Sequence, residues 1–272
     1  MQKPNERLKD QTCIVTGASS GIGAAIAKAM GMEGGNVVVN YRKDKEGADE
    51  VADWIAKNAS CGNAISFQCD VSKEDEVRAM FKKTIDHFGT VDVCVANAGI
   101  QEDYPLHEMP LAAWQKVIDV NLTGQFLVAK EAISEFLKRG MRQDVSKSLG
   151  KIIHISSVHE EIPWAGHANY AASKGGLLML MESICQEYAH QKIRCNSIAP
   201  GAIKTDINKA VWSSKKGMDD LLKLIPYKRI GIPEDIGSVA SWLASDESEY
   251  INGTTIFVDG GMTCYPGFTT NG

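Results

Sequence analysis

Three side chains in the middle of the chain, Ser157, Tyr170 and Lys174, have the types and spacing needed to move a proton. Ser157 lies just after a short apolar run, residues 151–155, that is typical of a buried strand. Tyr170 and Lys174 are four residues apart in a helical pattern, so they share one face of a helix. We therefore expect a hydroxyl, a phenol and an ammonium at the carboxyl edge of a parallel sheet, where open α/β folds bind ligands.

This trio suits proton transfer coupled to hydride transfer. A free tyrosine has a pKa of about 10 and is a poor base at neutral pH. A nearby ammonium favours the phenolate, and a cationic oxidised nicotinamide ring would favour it further. Lowering the pKa to about 7 corresponds to about 4 kcal/mol, which two close positive charges in a shielded cleft can supply. Ser157 would orient the substrate oxygen. The alternative is that Y-x-x-x-K is ordinary helix-surface sequence.

The first predicted strand, residues 12–16, ends in the turn T-G-A-S-S-G-I-G, and a helical pattern follows over residues 22–32. The glycines let the backbone turn tightly and approach a pyrophosphate, and the helix N-terminus favours its negative charge. The order of strand, glycine turn and helix therefore predicts dinucleotide binding. The expected cofactor contacts in this turn are Gly17, Ser19, Ser20, Gly21, Ile22 and Gly23.

The second predicted strand, residues 36–40, indicates which dinucleotide is bound. Strands that bind the adenosine ribose of NAD tend to end in Asp or Glu, whereas here Tyr41 and Arg42 follow the strand. Arg42 can meet a 2′-phosphate and Ser19 can add a donor, which slightly favours NADP over NAD. The alternative is that Arg42 is a solvated surface charge, because the mixed-charge run of residues 43–46 follows it.

Two further strand ends are expected to contact the cofactor. The third strand, residues 64–69, closes on Asp70 and Val71, where the carboxylate can accept a hydrogen bond from an adenine amino group. The fourth, residues 91–96, is fully apolar, as in a sheet covered on both faces. It ends in the small-residue turn Asn97, Ala98 and Gly99, which we expect beneath the cofactor.

A long helix is predicted over residues 111–139 and contains Asn121 in the apolar context V-N-L. A buried asparagine is costly unless its hydrogen bonds are made within the protein. Asn121 is therefore either a structural bridge or part of a water-filled proton path, and the sequence does not choose between them.

Alternating strand and helix patterns continue to the end of the chain. Helices are expected over residues 45–58, 72–88 (with a Ser72 cap), 170–190 and 233–244, and strands over 193–199 and 254–258. Residues 140–150 resemble an exposed polar loop, and residues 206–225 an amphipathic lid over the substrate side. The pattern predicts one doubly wound α/β domain of the Rossmann type, residues 1–272, with helices on both faces of a parallel sheet.

The composition excludes several classes of protein. With 272 residues, 44% hydrophobic, the chain can bury a sizeable core, and a net charge of −5 argues against nucleic acid as a partner. No apolar run is long enough to cross a bilayer, and residues 1–10 lack a signal-peptide core. Seven cysteines without a C-x-x-C pair indicate buried free thiols rather than a metal site or disulfides, hence a cytoplasmic protein.

The glycine turn, N-A-G, Asn121, Ser157, Tyr170, Lys174 and P-G-A-I-K-T occur in this order, and the chain resembles the short-chain dehydrogenase/reductase family from end to end. The resemblance implies seven parallel strands, an NAD(P) cofactor, Tyr170 as the acid/base and Lys174 as its electrostatic partner and ribose ligand. It also implies that Ser157 orients the substrate and that Asn121 is a relay residue. Further cofactor contacts are implied at Pro200, Gly201, Ile203 and Thr205, besides Tyr170 and Lys174.

Four segments are similar to the glucose 1-dehydrogenase subfamily: I-S-S-V-H-E-E-I-P-W, H-A-N-Y-A-A-S-K-G-G, I-G-I-P-E-D-I and D-G-G-M-T-C-Y-P. This similarity implies oxidation of an aldose at C1, with β-D-glucose giving gluconolactone. Hydroxyl-rich substrates need several polar partners, and our candidates are His159 and Glu160 beside Ser157 and Tyr170; His159 can instead be a capping histidine. The alternatives are a carbonyl, 3-oxoacyl or steroid reductase, and a non-catalytic nucleotide-sensing protein. The intact Tyr170–Lys174 pair argues against the non-catalytic alternative.

The resemblance also implies a homotetramer with the C-terminal tail packed near a neighbouring subunit. Two predicted helices carry more apolar residues than one sheet face needs: Phe126, Leu127 and Phe136, and Leu177, Leu178, Leu180 and Met181. Surplus apolar faces usually meet a partner, often through two-fold symmetry. Tyr265, Pro266 and Phe268 would be poor choices for a solvated tail, which can alternatively fold over its own substrate cleft.

Overall fold

The computed structural model describes residues 6–205 and 212–264. The described part contains seven strands: β1 Thr12–Val15, β2 Asn36–Tyr41, β3 Ala64–Gln68, β4 Val93–Ala96, β5 Gly150–Ile155, β6 Ile193–Pro200 and β7 Thr255–Val258. They form one parallel sheet in the order β3-β2-β1-β4-β5-β6-β7. The chain changes direction across the sheet between β1 and β4, and the strand ends at this switch point form a crevice.

Eight α-helices of the described residues cover the sheet or flank its carboxyl edge. They are α1 Gly21–Met32, α2 Lys45–Asn58, α3 Glu74–Phe88, α4 Leu111–Ile118, α5 Gly124–Arg139, α6 Ala168–Tyr188, α7 Lys215–Lys223 and α8 Pro233–Ala244. One apolar core packs α1, α2 and α8 on the first face of the sheet. A second core packs α3, α5 and α6 on the other face. Because both faces are covered, β1 and β4 are buried throughout.

The long helix that contains Asn121 is continuous but not uniform. Between α4 and α5 the backbone widens into a single π-helical turn, Asp119–Thr123. Such turns are rare and are frequent at functional sites. This one places Asn121 in the protein interior, where it is fully buried.

Ser72 does not cap α3, so that prediction is wrong. The helix begins at Glu74 after Lys73, and no side chain caps it. The Ser72 hydroxyl donates instead to Asp70 Oδ1 at 2.7 Å. This contact closes a local turn after β3, a conformation that competes with helix capping by serine. The acidic first turn of the helix, Glu74 to Glu76, is as expected.

The prediction of an exposed loop at residues 140–150 is only partly right, because most of its second half is buried. Ser146 and Ser148 are each 6% exposed. Arg142 Nη1 donates to both carboxylate oxygens of Asp92, at 2.9 and 2.8 Å, and Asp92 Oδ2 also accepts from the Thr12 backbone at 2.9 Å. The loop is therefore anchored beneath the amino ends of β1 and β4.

The apolar surplus on α5 and α6 is smaller than the sequence suggests. Leu127, Phe136, Leu177 and Met181 all lie in the core of their own chain. Phe126 on α5 is 44% exposed, as expected, and Met179 on α6 is 56% exposed. The predicted tail residues 265–272 and the first part of the predicted lid, residues 206–211, lie outside the described residues.

Other expectations from composition can be compared with the described residues. Cys13, Cys69, Cys94 and Cys195 are buried free thiols, whereas Cys61 and Cys264 are exposed. Within residues 6–205 and 212–264, no group of three His, Cys, Asp or Glu side chains is placed to hold a metal ion. None of the helices in these ranges has the length and apolar character needed to span a membrane.

Candidate active site

Ser157, Tyr170 and Lys174 line one cleft at the carboxyl edge of the sheet. Ser157 follows β5, and the other two residues lie on the first turns of α6. The Lys174 Nζ atom donates to the carbonyl oxygen of Ile155, the last residue of β5, at 2.8 Å. It also lies 5.5 Å from the centre of the Tyr170 ring. The fold therefore brings the predicted trio together.

The protonation of this trio is governed mainly by burial. Burial raises the pKa of Tyr170, while side-chain hydrogen bonds with Ser157 and Gln101 lower it. Burial also lowers the pKa of Lys174 to about 8, against the attraction of the Glu160 carboxylate. The protein groups together leave the Tyr170 pKa above its ordinary value. The lowering that we expected from Lys174 therefore also needs the positive charge of an oxidised nicotinamide.

Asn121 makes hydrogen bonds with both ends of its amide. Its Oδ1 accepts from the Ile100 backbone N–H at 2.8 Å, and its Nδ2 donates to the Ile100 carbonyl at 3.0 Å and to Ser173 Oγ at 3.2 Å. The Ser173 hydroxyl in turn donates to the Tyr170 carbonyl at 2.7 Å. Asn121 thus bridges the segment after β4 to the first turn of α6, while its role as a relay stays a prediction.

The glycine turn has the geometry that a diphosphate requires. Gly17 and Gly21 have φ angles of 61° and 54°, a region that favours glycine. A Cβ on Gly23 would clash with the Gly17 carbonyl oxygen. Ser20, which precedes α1, makes no side-chain capping bond, and the first turn holds no acidic residue. The first N–H groups of α1 are therefore available to an anion.

The cleft has a volume of about 740 Å³ and extends from this turn to the start of α6. Every residue that we expected to contact the cofactor lines it. They are Gly17, Ser19, Ser20, Gly21, Ile22, Gly23, Tyr41, Arg42, Asp70, Val71, Asn97, Ala98, Gly99, Tyr170, Lys174, Pro200, Gly201, Ile203 and Thr205. These residues fit a dinucleotide, since the turn accommodates a diphosphate and the strand ends flank it on both sides.

Arg42 directly follows β2 and lines the cleft at that strand's end. Its side chain is 44% exposed, and its Nη1 lies 4.0 Å from Asp70 Oδ2. Asn40 does not face the ribose position: its Oδ1 accepts from the Gly17 backbone at 3.1 Å and its Nδ2 donates to the Cys69 carbonyl at 3.1 Å. Asn40 therefore holds the glycine turn to β2 and β3, a structural role that the sequence analysis missed.

His159 lies between the cleft and a stack of aromatic rings. Its Nδ1 donates to the Ile162 carbonyl at 2.9 Å, and its ring stacks on Trp164 with 4.2 Å between centroids. His167 also stacks on Trp164, with 3.5 Å between ring centroids. His159 also lines the cleft and meets the Tyr170 ring edge-on, with centroids 6.3 Å apart. It therefore holds the loop after β5 and faces the substrate side.

Glu160 does not line the cleft with the other predicted substrate-binding residues. The short 3₁₀ turn Val158–Glu160 follows Ser157 and directs the carboxylate into the protein. Burial raises the pKa of Glu160, against interactions with the hydroxyls of Ser156 and Thr255. We therefore withdraw the expectation that this carboxylate faces a substrate.

Several residues of the cleft were not predicted from the sequence, and they include Gln101, Ile162, Pro163, Trp164 and Met262. Leu221 and Leu224 also line the cleft, and both lie in the segment 206–225 that was expected on the substrate side. Gln101 follows the N-A-G turn by two positions, which is the one signal that pointed towards it. Ile162, Pro163 and Trp164 lie in the irregular segment between β5 and α6, and Met262 lies in the turn after β7.

Comparisons with known proteins agree with this geometry. A family model described as Enoyl-(Acyl carrier protein) reductase matches residues 17–263. The 3beta-hydroxysteroid dehydrogenase 1 of Eggerthella lenta is 48% identical over 261 residues, covering 96% of this chain and 97% of that protein. Glucose 1-dehydrogenase 2 of Bacillus subtilis (strain 168) is 46% identical over 261 residues, covering 95% and 97%.

A solved structure is similar over nearly the whole chain. It is a gluconate 5-dehydrogenase from Burkholderia cenocepacia J2315 in complex with NADP and tartrate, which is 33% identical, has a TM-score of 0.86, and matches over 97% of this chain and 99% of that one. The chain belongs to the short-chain dehydrogenase/reductase family. Within that family it is an NAD(P)-dependent dehydrogenase.

Proposed function

We propose that the protein oxidises a secondary alcohol on an apolar ring skeleton, such as a 3β-hydroxysteroid. In the reverse direction it reduces the corresponding ketone. Apolar residues that line the cleft support this substrate class. Among the described residues they include Ile162, Pro163, Trp164, Leu221, Leu224 and Met262. Burial of apolar surface is the main favourable term for binding such a skeleton.

The catalytic roles follow from the positions of three side chains. The Tyr170 phenolate accepts the proton of the substrate hydroxyl as a hydride leaves the carbon that carries this hydroxyl. The Ser157 hydroxyl donates to the substrate oxygen and orients it. The Lys174 ammonium, held on Ile155, favours the phenolate electrostatically.

The glycine turn and the N-terminus of α1 would hold the diphosphate of the cofactor, and Lys174 would hold the nicotinamide ribose. When bound, NAD(P) supplies the hydride acceptor and a second positive charge near Tyr170. We infer that NADP is slightly preferred, because no acid stands at the tip of β2 and Arg42 lines the cleft directly after it.

The second candidate substrate is β-D-glucose, giving gluconolactone. The B. subtilis relative and the four similar segments favour it. A sugar needs several polar partners, and the described part of the substrate wall offers Gln101 and His159, while the Glu160 carboxylate is turned away. For that reason we rank glucose below an apolar alcohol.

Initial rates with NADP and NAD, measured for a 3β-hydroxysteroid, its 3-ketone and β-D-glucose, test this proposal. A kcat/KM at least tenfold higher for the steroid supports it, and the reverse order supports the glucose alternative. Tyr170→Phe is the matched control: it should bind NADPH like the wild type and lose nearly all turnover. Turnover within tenfold of wild type would show that Tyr170 is not the base. Tight NADPH binding without turnover of any substrate would support a nucleotide-sensing protein instead.

A further inference from the structure

Both backbone groups of Tyr170 form a hydrogen bond with a side chain. Its N–H donates to Oδ1 of the preceding residue, Asn169, at 2.8 Å, and its carbonyl oxygen accepts from the Ser173 hydroxyl at 2.7 Å. An α-helix leaves its first N–H groups without a partner inside the helix, and His167, which precedes α6, makes no side-chain capping bond. Asn169 therefore supplies the partner for the Tyr170 N–H in the first turn of α6.

These two contacts lead to the same segment of the chain, which follows the N-A-G turn after β4. The Nδ2 atom of Asn169 donates to the Glu102 carbonyl at 2.8 Å. The serine hydroxyl on the other side of Tyr170 accepts from Asn121 Nδ2 at 3.2 Å, and Asn121 binds both backbone groups of Ile100, at 2.8 and 3.0 Å. The segment is therefore tied to Tyr170 twice, once through each asparagine.

Two further contacts hold the chain just before α6 to this segment. Asp103 Oδ2 lies 3.1 Å from His167 Nε2, and the Tyr104 backbone N–H donates to the Gly166 carbonyl at 3.0 Å. Residues 100 and 101 of the segment line the cleft. Asn169 therefore lies where a wall of the cleft is joined to the helix that carries Tyr170.

The residue type at position 169 fits this bridge. Asn169 is fully buried, so its amide must find its partners within the protein. The bridge needs a donor for the Glu102 carbonyl and an acceptor for the Tyr170 N–H in one short side chain, and the amide of asparagine carries both. Aspartate would keep the acceptor and lose the donor, and leucine would lose both.

We propose that Asn169 is a positioning residue for the reaction, which fixes the backbone of Tyr170 against the segment after β4 and so sets the place of the phenol in the cleft. This role rests on the proposed function, in which Tyr170 is the base. A misplacement of about 1 Å can cost about a hundredfold in rate. The two backbone contacts of Tyr170 limit such a displacement from both sides.

The test is the titration of Tyr170 in the NADP complex, followed by NMR of protein labelled with 13Cζ-tyrosine and assigned with Tyr170→Phe. Asn169→Leu removes both hydrogen bonds of the bridge at similar volume. Because the attraction between two charges falls with their separation, a displaced phenolate should lose stabilisation from Lys174 and from the cationic nicotinamide. The Tyr170 pKa should rise by about one unit, a tenfold change in the ionisation constant.

The kinetics of Asn169→Leu should separate turnover from cofactor binding. We expect kcat to fall by about tenfold to a hundredfold. The NADPH affinity should stay near that of the wild type, because Lys174 keeps its own contact with Ile155. This split indicates a displaced base rather than a damaged cofactor site.

Asn196→Leu is the matched control. Asn196 on β6 is 1% exposed, its Nδ2 donates to the Ile251 carbonyl at 2.9 Å, and its Oδ1 accepts from the Thr254 N–H at 3.2 Å. The variant thus loses the same two kinds of hydrogen bond from a buried asparagine. It should be destabilised in urea like Asn169→Leu and keep the Tyr170 pKa and the kcat of the wild type.

A wild-type Tyr170 pKa in Asn169→Leu would overturn the inference, whatever the turnover, and so would an equal rise of this pKa in Asn196→Leu. If Asn169→Leu fails to fold, Asn169→Ala, which removes both bonds and adds no volume, must show the raised pKa for the inference to stand. The titration needs no substrate, so absence of turnover by the wild type would overturn the proposed function and leave this measurement readable.

Discussion

The Lys174 ammonium is 2.8 Å from the carbonyl oxygen of Ile155, which accepts its hydrogen bond. The cation is thereby fixed to the last residue of β5, while Tyr170 is fixed one turn earlier on α6. One N–H of the ammonium is used, so two are left for a ligand in the cleft. The relative position of base and cation is thus set by the packing of α6 on the sheet.

Lys174→Met should abolish nearly all turnover and weaken NADPH binding about tenfold, because it removes a charge-assisted hydrogen bond to the ribose. NADPH fluorescence titration and initial rates measure the two effects. Lys82→Met, an exposed change on α3, is the control and should match the wild type. Unchanged NADPH affinity in Lys174→Met would show that Lys174 does not bind the ribose.

Arg42→Ala should weaken NADP binding about tenfold and leave NAD binding nearly unchanged, since one exposed charge-assisted contact to a phosphate is lost. The dissociation constants of both cofactors should be measured at the same ionic strength, because screening affects this contact. Arg78→Ala, on the exposed side of α3, controls for net charge. An unchanged ratio of the NADP and NAD dissociation constants would show that Arg42 is a surface charge without a role in cofactor binding.

Asn121→Ala should lower the free energy of unfolding by about 2–4 kcal/mol, because it leaves both backbone groups of Ile100 without the partner that the fully buried Asn121 provides. Urea unfolding measures this cost, and turnover should fall with it as the segment around Ile100 loosens. A variant of wild-type stability that has lost turnover would instead favour the proton path over the structural bridge.

His154 should make the protein lose stability as the pH falls. Its Nδ1 contacts Gln125 Oε1 at 2.8 Å, and burial, with the charge of Lys174, lowers the pKa of His154 to about 4. An unfolded histidine titrates near a pH of about 6.5, so the unfolded chain binds the extra proton between these values. The contribution of neutral, buried His154 to the free energy of unfolding is therefore complete above a pH of about 6.5. It is lost as the pH falls towards about 4.

Between pH 7 and pH 5 the resulting loss in the free energy of unfolding amounts to about 2 kcal/mol. Urea unfolding of the wild type and of His154→Leu at both pH values measures the difference. The variant should show a pH dependence shallower by that amount. Equal slopes for the two proteins would mean that His154 is not held neutral in the folded state.

The protein is predicted to form a homotetramer, as the family resemblance implies. Phe126 and Met179 are exposed apolar residues on neighbouring elements of one face, so Phe126→Asp and Met179→Asp should favour smaller species in sedimentation velocity. Sedimentation of the wild type as a monomer at micromolar concentration would refute the assembly. Truncation after Gly261 should lower thermal stability and impair activity; an unchanged tetramer would refute only the role of the tail.

The catalytic trio and the glycine turn were predictable because each is placed by a regular element. Tyr170 and Lys174 follow helical periodicity, and Gly17 follows a strand end, so spacing alone determines where they meet. Glu160 was misplaced because a three-residue 3₁₀ turn, which has no sequence period, directs its carboxylate inward. Gln101 was missed because it too lies in an irregular segment.

The sequence-based predictions of which residues are exposed were wrong for a different reason. The 140–150 loop is polar in composition, yet the Arg142–Asp92 contact pairs its charge with a residue 50 positions away. Leu127 and Phe136 looked surplus because one helix was counted against one sheet face, whereas α5 also packs against α3. Both errors concern contacts between distant segments, which local patterns do not contain.

The cleft also depends on β7 and the turn that follows it. The Gly201 backbone N–H donates to the Val258 carbonyl at 3.0 Å, and a Cβ on Gly201 would lie 2.7 Å from Asp259 Cα. The Tyr227 backbone likewise donates to the Gly260 carbonyl at 3.0 Å. During translation, residues 201 and 227 leave the ribosome before the segment that supports them. The nascent chain therefore cannot complete its nucleotide site until residue 260 has been synthesised, and NADP cannot act as a template for the earlier steps of folding.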